Sequence, residues 1–138
     1  MSEPNIKLVA FCGSLRKGSF NRLALQAFIE RLPQGASVET IEIGDWPLYN
    51  ADVQAQGFPD KVQAAQKAML EADGVVFASP EYNYSVSGVL KNAIDWLSRM
   101  SPSLTIWPCL KPTLITSPST RLRTSTVSNG CTVPRPLR

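Results

Sequence analysis

Short apolar runs alternate with helically spaced apolar positions along the first hundred residues. Three runs have the length and β-branched content of buried strands, at 6–12, about 38–43 and 74–78. Each is followed by a segment in which apolar residues recur at helical spacing, within 21–32, 60–72 and 88–99. The order β-α-β-α-β-α, with nearly continuous apolar strands, predicts an α/β fold with a doubly wound parallel sheet.

Two polar loops follow the first and third predicted strands. In sheets of this kind, ligands bind outside the carboxyl ends of the strands, where the strand order switches. Because both loops leave that edge, we expect them to lie side by side at a binding site. We expect the connection from Gly44 to about Pro59 to be an irregular loop.

The first polar loop, residues 13–21, has the chemistry of a phosphate site. It leads into a helix N-terminus, whose free N–H groups and dipole favour an anion. Its hydroxyl, amide and cationic side chains are Ser14, Ser19, Asn21, Arg16 and Lys17. The spacing is neither GxGxxG nor GxxxxGK[ST], which favours a mononucleotide phosphate over a dinucleotide or a triphosphate. The alternative is that Ser19 only caps the helix and that the two cations are merely solvated.

The second polar loop, residues 79–88, has unusual chemistry for a plain connector. It carries a carboxylate, an amide and two tyrosines, at Glu81, Asn83, Tyr82 and Tyr84. Such side chains line the edge and face of planar ligands. The alternative is a rigid turn whose tyrosines pack on the following helix. Taken alone, the residues of this loop favour that alternative.

Composition narrows the chemistry of the chain. The 138 residues are 43% hydrophobic and 18% charged, which suits one domain with a substantial core. The absence of histidine excludes His-based triads and histidine bases, and the three cysteines lack zinc or disulfide spacing, so we expect no metal. The net charge of +3 does not argue for nucleic acid. The start lacks the pattern of a signal peptide and no apolar run could span a membrane, so a cytoplasmic location is expected.

Two long segments resemble the NAD(P)H-dependent FMN reductase family. The first is Gly-Ser-Leu-Arg-Lys-Gly-Ser-Phe-Asn at 13–21. The second is Pro-Glu-Tyr-Asn-Tyr-Ser at 80–85, followed by Gly-Val-Leu-Lys-Asn-Ala-Ile-Asp-Trp-Leu-Ser-Arg at 88–99. Within the family the sequence is most similar to the bacterial chromate and quinone reductases. The resemblance covers nearly all of residues 6–99 in order and spacing.

The resemblance implies a flavodoxin-like fold of strand order 2-1-3-4-5 with non-covalently bound FMN. It implies hydride transfer from NAD(P)H through FMN to a quinone, chromate or a similar small-molecule acceptor. No side chain need act as acid or base, since the flavin carries the chemistry. Family members usually form homodimers or homotetramers. Trp96 could therefore lie in the core or at a subunit interface, and the oligomeric family favours the interface.

The resemblance also assigns cofactor-binding residues in both loops. The phosphate would be held by Ser14, Arg16, Ser19 and Asn21, with the surrounding loop backbone completed by Leu15, Lys17, Gly18 and Phe20. The isoalloxazine ring would be bordered by Glu81, Tyr82, Asn83 and Tyr84, with Pro80 shaping the turn.

Composition changes sharply after Arg99. Residues 1–99 contain nine Lys or Arg and all 11 acidic residues, whereas 100–138 contain five Lys or Arg, no acidic residue and much Pro, Ser and Thr. Residues 111–117 faintly resemble the family's fourth strand, but the glycine-rich loop that follows it in the family is missing. We therefore expect a partial flavodoxin-like FMN-binding domain over 1–99 and an irregular basic tail over 100–138, with a candidate fourth strand near 112–117.

Two explanations of this tail compete. One is a genuine basic extension that binds an acidic partner or nucleic acid. The other, which we favour, is a coding-frame change after about Arg99 that replaced the C-terminal third, since an extension would follow a complete domain. Without a proper fourth strand, 75–78 would expose an apolar edge, unless the segment around 113–116 pairs there. Because only two of the three walls of a flavin site are recognisable, we expect weak FMN binding and slow turnover. A non-catalytic flavin- or anion-binding remnant and a basic-tailed interaction protein stay open as alternatives.

Overall fold

The computed structural model describes residues 5–99 and the strand at 113–116. The strands are β1 (Ile6–Cys12), β2 (Ala36–Ile41), β3 (Gly74–Ser79), β4 (Glu81–Tyr82), β5 (Ser85–Val86) and β6 (Thr113–Thr116). The helices are α1 (Phe20–Ile29), α2 (Ala51–Gln56), α3 (Asp60–Leu70) and α4 (Gly88–Leu97). The irregular tail predicted at 100–112 and 117–138 lies outside the described residues.

The main sheet is parallel and has the strand order β2-β1-β3-β6. This order agrees with the first four positions of the flavodoxin-like arrangement. β6 lies within the candidate fourth strand predicted near 112–117 and pairs with β3 from Val76↔Thr113 to Ser79↔Thr116, so β3 does not have the bare edge expected in the absence of a fourth strand. The segment Thr-Leu-Ile-Thr is rich in β-branched residues, which favour the pleated conformation even in so short a strand.

Side chains of β1 and β3 alternate between two cores, because successive strand residues point to opposite faces. Val9, Phe11, Val75 and Phe77 pack with α3 and α4 on one face. The Phe11 and Phe77 rings stack there, with their centroids 5.6 Å apart. On the other face, small β1 and β3 side chains pack against Leu25 of α1. Both faces of the central strands are therefore covered, as their continuous apolar sequence predicts.

Trp96 belongs to the core, and the expectation that it lies at a subunit interface is wrong. It is 0% exposed, and its indole Nε1–H donates to the carbonyl oxygen of Pro47 at 2.8 Å. The rings of Tyr49 and Phe58 meet it edge to face, with centroids 5.1 and 6.1 Å away. The connection between β2 and α3 folds over this face of α4 and covers the indole.

That connection is more ordered than an irregular loop. It contains α2, whose first turn is capped by Asn50 through a 2.8 Å bond from the Asp52 N–H. Asn92 of α4 holds the connection on that helix with two hydrogen bonds. Its Oδ1 accepts from the Tyr49 N–H at 2.8 Å, and its Nδ2 donates to the Pro47 carbonyl at 3.0 Å. The second strand has the predicted length but lies two residues earlier, from Ala36 to Ile41.

Helix α1 begins where predicted and ends early. Ser19 is its N-cap, and the hydroxyl of Ser19 accepts from the Arg22 N–H at 3.3 Å. The helix ends at Ile29, although the apolar spacing predicted a helix as far as Leu32. Turn hydrogen bonds carry the chain on from there, with the Leu32 N–H donating to the Ile29 carbonyl at 3.2 Å.

Candidate functional site

The first loop, residues 13–19, leaves the carboxyl end of β1 and leads into α1. Its polar side chains divide into two groups. Ser14, Ser19 and Asn21 are buried where the loop meets the sheet and the helix. Residues 15–18 are exposed, and so is Phe20. The thiol of Cys12 donates to the Ser14 carbonyl at 3.8 Å, which helps to hold the start of the loop on the end of the strand.

The backbone of this loop presents a run of unused hydrogen-bond donors. The Gly13 N–H donates to the Ala78 carbonyl at 2.7 Å, and the Leu23 N–H donates to the Ser19 carbonyl at 3.1 Å. Between them, the N–H groups of 14–21 meet no acceptor among the described residues. Consecutive free N–H groups at a helix N-terminus form an anion site, because their dipoles and that of the helix favour negative charge.

The three cations near this loop are not equivalent. Arg16 and Lys17 are exposed on the loop, and no carboxylate of residues 5–99 forms an ion pair with them. Arg22 is engaged with Glu42, through a 2.6 Å bond from its Nη1. That hydrogen bond raises the pKa of Arg22 and holds the pKa of Glu42 below its usual value. Two of the three positive charges are therefore available to a ligand.

The second loop is a small hairpin, which its sequence pattern did not predict. β4 and β5 pair antiparallel, Glu81 with Val86 and Tyr82 with Ser85. Its two central residues, Asn83 and Tyr84, have φ of 53° and 60°. Positive φ at both central positions is typical of the type I′ turn, which matches the twist of the flanking strands. We call residues 81–86 the tyrosine hairpin.

The hairpin holds its tyrosines away from the protein. Tyr84 is 98% exposed and Tyr82 is 57% exposed. The alternative that these rings pack on the following helix is therefore wrong. Glu81 and Asn83 are exposed as well, while Pro80 is half-buried at the base. The aromatic, amide and carboxylate groups are all free to contact a ligand.

The two loops meet at Gly13. β1 and β3 are neighbours in the sheet and run in the same direction, so the segments that follow them leave the same edge. The α-carbon of Gly13 lies against the hydroxyls of Ser79 and Ser87, the residues on either side of Pro80 and the tyrosine hairpin. The structure thus brings together the bases of the two predicted loops.

A model of the NADPH-dependent FMN reductase family matches residues 6–120. The chain belongs to this family. Among curated proteins it is 53% identical over 95 residues to an NAD(P)H-dependent FMN reductase of Pseudomonas aeruginosa, covering 69% of this chain and 51% of the relative. It is 51% identical over 102 residues to a quinone reductase of Escherichia coli, covering 72% and 54%. The chain spans about half the length of the curated relatives it matches.

Solved structures of related fold agree with the flavodoxin-like assignment. The flavoenzyme NAD(P)H:(acceptor) oxidoreductase FerB of Paracoccus denitrificans superposes with a TM-score of 0.72 at 31% identity, covering 80% of this chain and 60% of that protein. An azoreductase of Bacillus anthracis has a TM-score of 0.58 at 21% identity, covering 80% and 68%. The second likeness concerns the fold alone.

The residues of the site fit FMN, the cofactor that the family name implies. A phosphate monoester needs several hydrogen-bond donors and positive charge, which the N–H groups of 14–21 and Arg16 provide, since none of them has a partner among the described residues. The adjacent hairpin offers exposed aromatic and amide groups for a ring. Gly13 belongs to the predicted first loop but was not among the predicted cofactor-binding residues, and neither were Ser79 and Ser87. A serine directly before the loop proline and another directly before helix α4 were the available signals.

Two further findings concern the described part of the chain. None of its helices is long and apolar enough to cross a membrane. Residues 5–99 also bring no three His, Cys, Asp or Glu side chains together as a potential metal-binding group.

Proposed function

We propose that this protein is an NAD(P)H-dependent FMN oxidoreductase that reduces quinones, chromate or similar small-molecule acceptors. The observation that carries the proposal is the run of free backbone N–H groups at 14–21, directly beside an exposed aromatic hairpin. Membership of the FMN reductase family supports it. The relative named quinone reductase supports a quinone as acceptor, whereas chromate rests on the sequence resemblance.

The first loop would hold the phosphate of FMN. In this role the backbone N–H groups from Leu15 to Phe20 surround the phosphate oxygens, and Ser14, Ser19 and Asn21 add neutral donors. Arg16 adds a charge-assisted hydrogen bond, and Lys17 adds positive charge. The support is the geometry of free donors and unpaired cations on one loop. Gly18 has open space around it, since a β-carbon there would meet nothing closer than Arg16 Nη2 at 3.9 Å.

The tyrosine hairpin would border the isoalloxazine ring. Tyr82 and Tyr84 offer aromatic faces, Asn83 offers an amide, and Glu81 offers a carboxylate to the ring edge. Pro80 fixes φ at the entry to the hairpin. The support is the exposure of these side chains and their place beside the first loop.

The chemistry that FMN supplies when bound is acceptance of a hydride from NAD(P)H and delivery of electrons to the acceptor. The residues of this chain bind and orient. Orientation matters because a correctly held ring removes a large part of the entropic barrier to hydride transfer. No proton-transferring side chain is part of the proposal, which accords with a chain that contains no histidine.

Titration with flavins tests the binding part of the proposal. We expect FMN to bind more tightly than FAD, because the first loop is shaped for one terminal phosphate. Tighter binding of FAD would contradict the assignment of that loop. A purified protein that is yellow would also set flavin binding apart from the alternative of a basic-tailed interaction protein.

Steady-state assays test the catalytic part. NADPH oxidation in the presence of FMN, with a quinone or chromate as acceptor, is expected to exceed the rate of free FMN alone. Binding of FMN without any such acceleration would instead identify a non-catalytic flavin-binding protein. Running NADH beside NADPH identifies the preferred donor.

Assembly and location complete the proposal. We take residues 1–99 as the FMN-binding unit, acting as a homodimer or homotetramer in the cytoplasm, where NAD(P)H is available. Exposed apolar side chains at Phe20, Leu23 and Leu48 support self-association. Analytical ultracentrifugation measures the assembly, and cell fractionation measures the location.

A further inference from the structure

We propose that Gly13, Ser79 and Ser87 form a buried junction that fixes the first loop and the tyrosine hairpin relative to each other. In this proposal Ser79 and Ser87 are positioning residues for the flavin site, and neither needs to touch the flavin. The inference rests on the proposed function, since the site that the junction would align is the FMN site.

The contacts at the junction are close and specific. A β-carbon at residue 13 would lie 2.7 Å from Ser87 Oγ, 2.9 Å from Ser79 Oγ and 3.1 Å from Leu90 Cβ. Real β-carbons essentially never approach other atoms so closely as the first two. Both serines are 2% exposed, so neither hydroxyl can swing into solvent to make room. With the two hydroxyls held where they are, only glycine allows the start of the first loop to rest on this serine pair.

The serines also close the base of the hairpin. Ser79 Oγ donates to the Pro80 carbonyl at 2.9 Å and accepts from the Ser87 N–H at 3.3 Å. The strands β4 and β5 have only two residues each, too few for a two-stranded hairpin to be stable alone. The place of the hairpin must therefore be determined largely at its base, and that base is the serine pair.

Ser87 has a second connection, to helix α4. It is the N-cap of that helix, and its hydroxyl accepts from the Leu90 N–H at 3.4 Å. Leu90 is itself buried in the main core. The junction therefore ties both loops to a rigid element, and a disturbance at any of its three residues is transmitted to the other loop.

The affinity for FMN should depend on this alignment more strongly than the affinity for a ligand that contacts only one of the two loops. The phosphate and the ring are joined covalently, so each favours binding of the other only when the two loops are the correct distance apart. Loss of alignment should thus reduce the advantage of FMN over riboflavin, which lacks the phosphate. A change that only lowers the stability of the fold would leave that advantage in place.

A double-mutant cycle tests the contact itself. Gly13→Ala should weaken FMN binding by about tenfold, within the range over which residues in contact couple. Ser87→Ala removes the oxygen nearest to the new methyl group, so the double variant Gly13→Ala/Ser87→Ala should bind FMN more tightly than Gly13→Ala alone. Strictly additive losses would overturn the proposal.

A ratio of dissociation constants tests the positioning role. For Ser79→Ala, we expect the ratio of the riboflavin constant to the FMN constant to fall several-fold from that of the unmodified protein. Ser37→Ala is the control. Ser37 lies on β2, on the side of β1 away from β3, and its exposed hydroxyl donates to a backbone carbonyl, that of Ile6 on β1, at 3.5 Å. Asn50→Ala is the control for the helix cap that Ser87→Ala removes. An unchanged ratio for Ser79→Ala would overturn the proposal.

Amide hydrogen exchange without flavin provides a second readout. In Ser79→Ala the N–H groups of the tyrosine hairpin should exchange faster than in the unmodified protein, while Ser37→Ala leaves them unchanged. If Gly13→Ala does not fold, this measurement and the ratio for Ser79→Ala decide the question. An unmodified protein that binds no FMN would refute the proposed function, and this inference with it. FMN binding with unchanged ratio and exchange would refute only the junction.

Discussion

The guanidinium of Arg22 donates two hydrogen bonds to the carboxylate of Glu42, from Nη1 to Oε1 at 2.6 Å and from Nη2 to Oε2 at 3.1 Å. This pair joins the first turn of α1 to the residue that follows β2. Arg16 precedes the same helix, yet it has no ion-pair partner among residues 5–99. The two arginines are close together in sequence, but Arg22 is engaged in an ion pair, whereas the charge of Arg16 is not paired with any carboxylate of residues 5–99.

This difference predicts the outcome of two substitutions. Arg16→Ala is expected to weaken FMN binding by tenfold or more, because a charge-assisted hydrogen bond contributes about 1.5–3 kcal/mol. Arg22→Ala is the matched control and should change FMN affinity much less, since its charge is engaged by Glu42. Fluorescence titration measures both. Equal losses in the two variants would contradict the assignment of Arg16.

The Arg22–Glu42 pair also predicts a dependence of stability on pH. The hydrogen bond from Arg22 lowers the pKa of folded Glu42, so the stabilisation is fully present above the pKa of the unfolded residue, about 4.3. It is lost as the pH falls through the lower pKa of the folded state. Because the Glu42 side chain is 64% exposed and that of Arg22 is 40% exposed, solvent screens the pair, and we expect only about 0.2–1 kcal/mol at neutral pH and low salt.

Urea unfolding of Glu42→Gln beside the unmodified protein measures that contribution. The difference in the free energy of unfolding should shrink on acidification and also with added salt. A difference that stays constant through the acid range would show that the substitution acts through packing rather than charge.

Replacing Tyr84 by glycine is expected to raise the stability of the fold and to weaken FMN binding. A left-handed conformation costs an L-residue roughly 1–2 kcal/mol, and Tyr84 adopts φ of 60° while almost fully exposed. Tyr84→Gly should raise the free energy of unfolding by up to about 1 kcal/mol, since the greater freedom of unfolded glycine offsets part of the relief. FMN affinity should fall. Tyr82→Gly, in a strand with ordinary φ, should lower stability, and a loss in both variants would exclude strain at Tyr84.

Removing the side-chain amide of Asn92 is expected to lower the stability of the fold substantially. It both accepts from the Tyr49 N–H and donates to the Pro47 carbonyl, which holds the β2–α3 connection on α4. Asn92→Ala should cost about 1–3 kcal/mol, because it leaves the partly buried Tyr49 N–H without a partner, whereas the Pro47 carbonyl keeps its bond from Trp96. Lys91→Ala removes only an exposed pair with Asp95 and should cost less than about 0.5 kcal/mol. Similar losses from the two variants, measured by denaturant unfolding, would contradict this role of Asn92.

Local sequence pattern predicted the parallel sheet and its helices, because β1, β3 and their neighbours carry strong apolar periodicity. It missed α2, whose six residues have no buried side chain and whose position depends on the distant contact between Tyr49 and Asn92. It missed the tyrosine hairpin because the turn has Asn-Tyr where Asn-Gly is the recognisable signal. The burial of Trp96 depends on a carbonyl nearly fifty positions away along the chain, which no local window contains.

The candidate site divides in the same way. The polar residues of the first loop are nearly consecutive, so a local motif reveals them. The roles of Ser14, Ser19 and Asn21 remain predictions, and Arg16→Ala tests the role of Arg16. The contacts of Gly13 with Ser79 and Ser87 arise only when two separate strands become neighbours. Residues that act through such long-range packing are not visible in a motif.

The parallel pairing of β1 with β3 sets the order in which the site can assemble during folding. The tyrosine hairpin joins residues a few positions apart, such as Tyr82 and Ser85, and such hairpins form within about 1–10 μs. The first loop gains its neighbours only when Leu8 meets Gly74, which requires closure of the long intervening segment. During synthesis on the ribosome the first loop emerges long before β3, so at that stage Gly13 has no contact with Ser79 or Ser87. A ligand that needs both loops therefore captures the finished fold and cannot serve as its nucleus.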